Sequence, residues 1–416
     1  MLDDEVSVRN VLMTADAVGG VWTYALELTA QLSRAGIATT LATMGQPLSD
    51  AQRAAAARVT GLRVVESSFK LEWMEDPWAD VEHSGDWLMA LAEREQPDLV
   101  HLNGYAHASL PWRAPALVVA HSCVLSWWRA VLGEEAPPKY GRYRREVARG
   151  LRAASAVVAP TRAMLRALGA HYGAPLRGTC IPNGVDVGRF AAARKEPMVL
   201  AAGRIWDQAK NLGALASIAR HLRWPVYLAG SAAHPDGRTR MLEGVRALGW
   251  LDPEALRDWM ARAAIYAHPA RYEPFGLGVL EAALSGCALV LGDIPSLREV
   301  WGEAAAYVDP EDAEELLETL RRVTHDDLLR ARLSAAARAR ALAFTAERMG
   351  RRYVGLYREL VSRRSAGSSP PPMLPRSSRG GGGSSVQPCC LALFCHSLAP
   401  GREVLVAGSG EEVARP

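Results

Sequence analysis

Two glutamates, Glu273 and Glu281, lie on either side of a glycine turn in the stretch RYEPFGLGVLEA, which covers residues 271–282. An apolar run follows Gly276 and Gly278, so the turn is expected to lead into a helix. The first amides of a helix have no partner within it and carry partial positive charge, and glycine lets an anion approach them closely. The stretch therefore predicts an anion site with carboxylates beside it.

The two acids are explained by a ligand that has hydroxyl groups on both sides of a phosphate. An ionised carboxylate only accepts hydrogen bonds, so it would repel a phosphate and bind a hydroxyl. A nucleotide sugar has this order of groups: ribose, diphosphate and hexose. The alternative is that Glu273 is an ordinary loop acid and that Glu281 lies in a first helical turn, where it interacts with the helix dipole.

A second stretch, AAGRIWDQAKNLGAL, supplies two cations in a loop after an apolar strand. These are Arg204 and Lys210, and Lys210 is one of only four lysines in the chain. A diphosphate that leaves a sugar needs cations to stabilise its charge. The alternative is solvated surface charge, which is the common fate of a lysine or an arginine.

The elements that must position these residues alternate between short apolar strands and longer amphipathic helices. The first series of predicted strands covers 11–15, 37–43, 62–67, 98–103, 116–121 and 156–160, and the second covers 198–203, 225–230, 245–250, 264–269 and 288–293. The helices predicted in the second series cover 211–221, 253–262, 278–285 and 311–323. This pattern predicts an α/β protein with two doubly wound, Rossmann-like domains and a ligand cleft between them.

The predicted domains have the following boundaries. Residues 1–190 form the first domain, 191–345 the second, and 346–363 a helix that we expect to return to the first domain. Residues 364–416 are rich in Ser, Pro and Gly, and we expect them to be disordered.

Composition argues against several classes of protein. The formal net charge of +3 is too small for a typical nucleic-acid binder. The polar start of the sequence, MLDDEVSVRN, does not resemble a signal peptide, and no run of 18 apolar residues predicts a membrane span. The six cysteines do not form a disulfide pattern. We therefore expect a cytoplasmic protein.

The motifs together resemble the family 4, group 1 glycosyltransferases, which have the two-domain GT-B fold. The resemblance rests on GRIWDQAKNLGAL, ARYEPFGLGVLEAALSG and LGDIPSLREVWGEAAAYVDPED in the second half. In the first half it rests on ADAVGGVWTYALELTAQLSRAG, PDLVHLNG and CIPNGVDVGRF. It implies the retaining transfer of a hexose from a nucleotide diphosphate sugar to a saccharide or a lipid-linked acceptor, without a metal or another cofactor. The expected role is in polysaccharide or glycoconjugate biosynthesis.

The resemblance also implies roles for individual residues. Arg204 and Lys210 would hold the diphosphate, Glu273 would contact the hexose near the reacting carbon, and Glu281 would hold the ribose hydroxyls. His121 would contact the transferred sugar. The remaining donor-binding residues would act through backbone amides and a tight glycine turn, and they are Gly19, Gly20, Phe275, Gly276, Leu277 and Gly278.

The acceptor is expected in the first domain, which carries seven of the 12 tryptophans. Aromatic faces stack on sugar rings, so Trp127, Trp128 and Tyr105 are candidates, although core packing explains most aromatic residues. The arginine-rich segment 140–152 is compatible with docking on an anionic membrane surface, but its charge pattern favours a solvated helix face. The sequence gives no indication of the oligomeric state.

Three other classes of protein stay open. A nucleotide-sugar epimerase can share the two-domain architecture, but it would not require the Arg204 and Lys210 loop together with two glutamates. A dinucleotide-binding dehydrogenase would need a Gly-x-Gly-x-x-Gly turn after the first strand of a domain, and neither domain has one. A non-catalytic nucleotide-sugar-binding protein would have no need of cations at a leaving diphosphate.

Overall fold

The computed structural model describes residues 7–17, 19–173, 178–232, 239 and 241–365. Within these ranges the chain forms two parallel sheets with helices between the strands, as the alternating pattern predicts. The tail predicted at 364–416 lies outside the described residues from position 366 onward. No described helix is both long enough and apolar enough to cross a membrane.

The first sheet has seven parallel strands among the described residues. In chain order they are β1 (Asn10–Asp16), β2 (Ala38–Met44), β3 (Leu62–Glu66), β4 (Leu99–Leu102), β5 (Ala116–Val119), β6 (Ala156–Ala159) and β7 (Gly178–Cys180). Across the sheet the order is β3-β2-β1-β4-β5-β6-β7. The order reverses between β1 and β4, and ligands in open α/β sheets bind in the crevice at such a point.

The helices of the first sheet are α1 (Gly20–Arg34), α2 (Asp50–Ala57), α3 (Trp78–Glu95), α4 (Val124–Leu132), α5 (Gly141–Ala153) and α6 (Arg162–Tyr172). Two of these helices, α2 and α6, have local start signals in the sequence. Ser49 caps α2 in a capping box, and the Thr161 hydroxyl accepts a hydrogen bond from the Met164 amide at the start of α6.

The second sheet has six parallel strands among the described residues. They are β8 (Glu196–Ala202), β9 (Val226–Ala229), β10 (Arg246–Gly249), β11 (Ala263–His268), β12 (Ala288–Gly292) and β13 (Ala306–Val308), in the order β10-β9-β8-β11-β12-β13. Its helices are α7 (Leu212–Ala219), α8 (Pro253–Arg262), α9 (Leu277–Leu284), α10 (Pro295–Trp301), α11 (Ala313–His325) and α12 (Asp327–Ala341). The order reverses between β8 and β11, which places a second crevice there.

A last helix, α13 (Ala346–Ser365), packs against α1, which belongs to the first domain. Met349, Tyr353 and Tyr357 lie in the same apolar core as β1 and α1. They recur at the spacing that places side chains on one face of a helix. The chain therefore crosses between the domains twice, and the two crossings meet where the Val185 amide donates to the Phe344 carbonyl at 3.3 Å.

Candidate active site

The predicted site residues follow strands that end at the two crevices. Gly19 and Gly20 come after β1, His121 after β5, Arg204 and Lys210 after β8, and Glu273 after β11. All strands in each sheet are parallel, so these loops lie at the carboxyl edges of the sheets. The fold thereby brings residues that are far apart in sequence to one cleft.

Glu273 forms a buried ion pair with Lys210. The carboxylate oxygen Oε2 lies 2.7 Å from Lys210 Nζ and 3.2 Å from His268 Nε2. The side chains of Lys210 and Glu273 are only 19% and 14% exposed, so the surface-charge alternative is wrong for this lysine. Burial alone would raise the pKa of Glu273, but Lys210 and His268 outweigh it and hold that pKa well below its usual range. Glu273 is therefore a permanent anion.

Arg204 faces the glycine turn of the first domain. Its guanidinium donates to Asp207 Oδ2 at 2.7 Å, and it lies 5.1 Å from the Trp206 ring centroid. A Cβ added to Gly19 would lie 4.0 Å from an Arg204 nitrogen, and Gly19 has a φ of +92°. A side chain is disfavoured at that φ, and its absence leaves the space beside the guanidinium open.

The glycine turn also lies against the start of α9. A Cβ added to Gly20 would lie 3.7 Å from Leu277 Cδ1, at the first position of α9. Gly276 has a φ of +89° at the N-cap, and no side chain caps the helix. The amides of Phe275 to Gly278, around this N-cap, are thus available to an anion.

Glu281 has an environment opposite to that of Glu273. It is the fifth residue of α9, and this helix has no acid in its first turn, so the first-turn alternative is wrong. No side chain in the described ranges hydrogen-bonds its carboxylate. Burial raises the pKa of Glu281 to about 7, although Arg189 and Arg257 act in the opposite direction. Its oxygens are free to accept hydrogen bonds from a ligand.

His121 is a neutral histidine at the end of β5. Its Nε2 lies 2.8 Å from Asn103 Oδ1, and its ring packs edge-on against Tyr24 with a centroid distance of 4.4 Å. Burial lowers the pKa of His121 to about 3. This histidine can exchange hydrogen bonds with a ligand but carries no charge near pH 7.

The three aromatic candidates for acceptor binding lie in different environments. Trp127 is half-buried, and its indole N–H donates to Asp207 of the second domain at 3.5 Å. Trp128 packs against Tyr140 with a centroid distance of 5.9 Å. Tyr105 is buried in the first domain, where its hydroxyl donates to the Ser122 carbonyl at 2.6 Å. Contact with an acceptor stays a prediction for all three.

Sequence reasoning missed several residues that support the site. Asp207 orients Arg204, His268 donates to Glu273, and Asn103 contacts His121. Tyr272 crosses to the first domain, where its hydroxyl accepts from the Cys123 amide at 3.1 Å. The partners of Asn103 and Tyr272 lie in other loops, whereas Asp207 and His268 are only three and five residues from theirs. The one signal that could have found two of them is position: His268 ends β11 and Asn103 follows β4, each at a crevice.

The fold is a two-domain α/β structure in which the glycine turn of the first domain lies near Arg204 and the start of α9 in the second. The chain belongs to the family 4, group 1 glycosyltransferases. Residues 18–189 match the model described as Glycosyltransferase Family 4, and residues 196–326 match the model described as Glycosyl transferases group 1. These matches confirm the family resemblance and, with the two sheets, the predicted fold class.

Similar proteins have glycosyltransferase names. The chain is 29% identical to the D-inositol 3-phosphate glycosyltransferase of Xylanimonas cellulosilytica over 85% of this chain and 94% of that protein. It is 31% identical to the glycogen synthase of Mycobacterium tuberculosis over 39% of this chain, and this match spans only 43% of that protein. The solved structure of Anabaena HepE in complex with UDP-glucose superposes with a TM-score of 0.68 at 17% identity, over 84% of this chain and 100% of that one.

Proposed function

We propose that the protein transfers a hexose from a nucleotide diphosphate sugar to a hydroxyl group of a saccharide or lipid-linked acceptor. The observation that carries the proposal is the buried pair of Lys210 and Glu273, which lies in the same cleft as Arg204 and the glycine turn. A cation and an anion side by side fit a reaction that separates charge. HepE binds UDP-glucose, which is a donor of this chemical class.

The charges of the site follow the charges of the reaction. When the bond between the anomeric carbon and the phosphate oxygen breaks, its electron pair stays with the diphosphate and the sugar gains positive charge. Arg204, Lys210 and the amides at the start of α9 stabilise the diphosphate, while the Glu273 carboxylate stabilises the sugar. Glu281 accepts hydrogen bonds from the ribose, away from the reacting carbon.

We propose that the acceptor attacks from the face that the diphosphate leaves, so the anomeric configuration is retained. A phosphate oxygen of the leaving group then takes the acceptor proton, and no side chain forms a covalent intermediate. This part rests on the family resemblance. Proton NMR of the product, through the coupling constant of its new anomeric proton, distinguishes retention from inversion.

Membrane contact by α5 is the least supported part of the proposal. Arg142, Arg144 and Arg149 are exposed, but they pair with Glu82, Glu135 and Glu146. These pairs reduce the positive field of the helix face. Sedimentation with vesicles that contain anionic lipid, compared with neutral vesicles, tests the contact.

The function is tested with the full chain and a panel of labelled nucleotide diphosphate hexoses, each with saccharide and lipid-linked acceptors. We expect one donor to release its nucleoside diphosphate and to form a glycosylated product. Conversion of the donor to an epimer without an acceptor would identify the epimerase alternative. Tight donor binding without any turnover would identify a non-catalytic binding protein.

A further inference from the structure

Asn103 lies between the buried His101 and the half-buried His121 and is held in one orientation. Its Oδ1 lies 2.8 Å from His121 Nε2 and 3.2 Å from His101 Nε2. Its Nδ2 lies 2.6 Å from the Thr14 carbonyl oxygen, and its backbone amide donates to the Thr14 hydroxyl at 2.9 Å. These bonds tie the end of β4 to β1 and leave the side-chain amide of Asn103 little freedom to rotate.

The hydrogen-bond partners decide which atom of the Asn103 amide faces the histidines. A backbone carbonyl oxygen only accepts hydrogen bonds, so the amide NH₂ must face Thr14. The amide oxygen therefore faces His121 and His101, and this oxygen also only accepts. Each histidine must then present an N–H at Nε2.

The rest of the network is compatible with this direction, since the Tyr24 hydroxyl, 3.3 Å from His101 Nε2, can accept from the same N–H. Tyr357 of α13 places its hydroxyl 2.6 Å from His101 Nδ1. With a proton on Nε2, neutral His101 has a lone pair on Nδ1, which accepts from that hydroxyl. Burial lowers the pKa of His101 and of His121 to about 3, so each ring carries one proton only. The two bonds from the histidines use both lone pairs of the Asn103 oxygen.

We propose that Asn103 is a positioning residue that fixes the Nε2–H tautomer of His121 and so presents its Nδ1 lone pair to a hydroxyl of the donor hexose. Within the described ranges no protein group hydrogen-bonds that Nδ1, and it is not among the fully buried polar atoms without a partner. His121 Nδ1 thus accepts a hydrogen bond from a hydroxyl of the ligand. The inference about the hexose rests on the proposed function, but the tautomer does not.

The tautomer is tested by nitrogen-15 NMR of histidine-labelled full-length protein near pH 7, with the His121 signals assigned from a His121→Gln variant. We expect a protonated Nε2 and an unprotonated Nδ1 at His121. Protonation at Nδ1, at both nitrogens or in rapid exchange between them would overturn the proposal. This experiment needs no substrate, so it can succeed even where the transferase proposal fails.

The positioning role is tested with two substitutions at one site. Asn103→Leu removes the acceptor, and Asn103→Asp keeps an acceptor oxygen at His121, so only the first should lose the Nε2–H signal pattern. We expect Asn103→Leu to lower kcat/KM for the donor by about tenfold, the scale of one hydrogen bond. In a His121→Ala background, Asn103→Leu should change kcat/KM by less than about twofold, because the side chain through which Asn103 acts is gone.

A loss of kcat/KM that persists unchanged in the His121→Ala background would mean that Asn103 acts through the fold, and the positioning role would be wrong. If Asn103→Leu does not fold, the tautomer in the wild-type protein and in Asn103→Asp still decides the proposal. Loss of the Nε2–H pattern in Asn103→Asp would count against it.

Discussion

Glu273 and Glu281 lie in one motif, but their carboxyl groups differ in protonation near pH 7. Lys210 and His268 hold the pKa of Glu273 well below its usual range, while burial raises the pKa of Glu281 to about 7. Only Glu273 is a permanent anion near pH 7. Two carboxyl groups whose pKa values are pushed apart are expected to have different roles in a reaction.

Glu273→Gln should lower kcat by about 100-fold or more, with a smaller change in the KM for the donor. The substitution keeps size and much of the hydrogen bonding but removes a charge that matters most in the transition state. Steady-state kinetics measure both constants. Glu318→Gln, at an exposed position of α11, is the control and should match the wild type. A near-normal kcat in a folded Glu273→Gln protein would contradict the proposed role.

Glu281 should make donor binding depend on pH. Ribose hydroxyls need the carboxylate as an acceptor, so the donor KM of the wild type should fall as pH rises through about 7, the pKa of Glu281. Glu281→Gln should have a higher KM, a kcat near that of the wild type, and a KM without this pH dependence. An unchanged KM in the variant would mean that Glu281 does not contact the donor.

The same pKa gives a stability test that needs no substrate. The folded state keeps the Glu281 proton between its ordinary value of 4.5 and about 7, where the unfolded state has released it. The folded state therefore binds more protons, and this group's contribution to the free energy of unfolding falls as pH rises through that range. Thermal unfolding at pH 5 and pH 8 should show the wild type losing stability relative to Glu281→Gln.

Arg204 and Lys210 lead to a prediction about metals. Two protein cations can stabilise the leaving diphosphate, so we expect transfer to continue in excess chelator. The measurement is the initial rate with and without chelator, on the donor identified by the panel. Complete loss of transfer that magnesium or manganese restores would contradict this prediction.

At the scale of elements, the loop between β11 and α9 is held by the first domain on both sides of Glu273. The Tyr272 hydroxyl accepts from the Cys123 amide, next to α4, and the Pro274 carbonyl accepts from the Thr161 hydroxyl at the start of α6 at 3.1 Å. The Glu299 carboxylate of α10 also accepts from the first amides of α6. The position of Glu273 thus depends on contact between the domains.

Tyr272→Phe and Thr161→Val should each lower kcat by up to about tenfold, because each removes hydrogen bonding that ties the loop to the first domain, and Thr161→Val also removes the cap of α6. Donor KM should change less, since Lys210, Arg204 and Glu281 do not depend on these bonds directly. Tyr307→Phe is the matched control, because its hydroxyl donates to the Gly302 carbonyl at 2.8 Å within the second domain. A kcat loss as large in the control would mean that any lost tyrosine hydroxyl has this effect.

The sequence predicts elements better than it predicts contacts. The strand predicted at 264–269 is β11, Ala263–His268, because continuous apolar residues between turn signals identify a buried parallel strand. Helix α10 and strand β13 are not among the predicted elements, because 7 and 3 residues carry too short a pattern. At the site, family resemblance located Glu273 and Lys210, but their pairing joins positions 63 residues apart and needs the folded structure. Asn103 and Asp207 lie within the quoted stretches PDLVHLNG and GRIWDQAKNLGAL, but they act through other side chains, so their roles need the folded structure.

At the scale of the whole molecule, α13 belongs to the first domain although it follows the second in sequence. Tyr353 and Tyr357 are fully buried, and Gly350 lets α13 approach Gln31 of α1 closely. A chain that ends at Ser365 should therefore unfold at the temperature of the full chain and transfer sugar at the same rate. A chain that ends at Thr345 should not fold stably, because it leaves the apolar face of α1 without its partner.

Thermal unfolding, solubility and transfer rate measured on these two shortened chains check the prediction. A stable and active chain ending at Thr345 would show that α13 is dispensable. Loss of soluble protein on removal of residues 366–416 would show that those residues are needed for folding.

The return of α13 also sets an order of events during synthesis on the ribosome. Strands β1 to β7 emerge first, but their domain lacks its last core helix until residues 346–365 have been made. The second domain, from β8 to α12, is contiguous and can complete its core earlier. The nascent first domain must therefore wait with an open apolar surface while residues 181–365 are translated, which at about 5–20 residues per second takes roughly ten to forty seconds. During that interval, chaperones and neighbouring nascent chains can reach a surface that the finished protein no longer exposes.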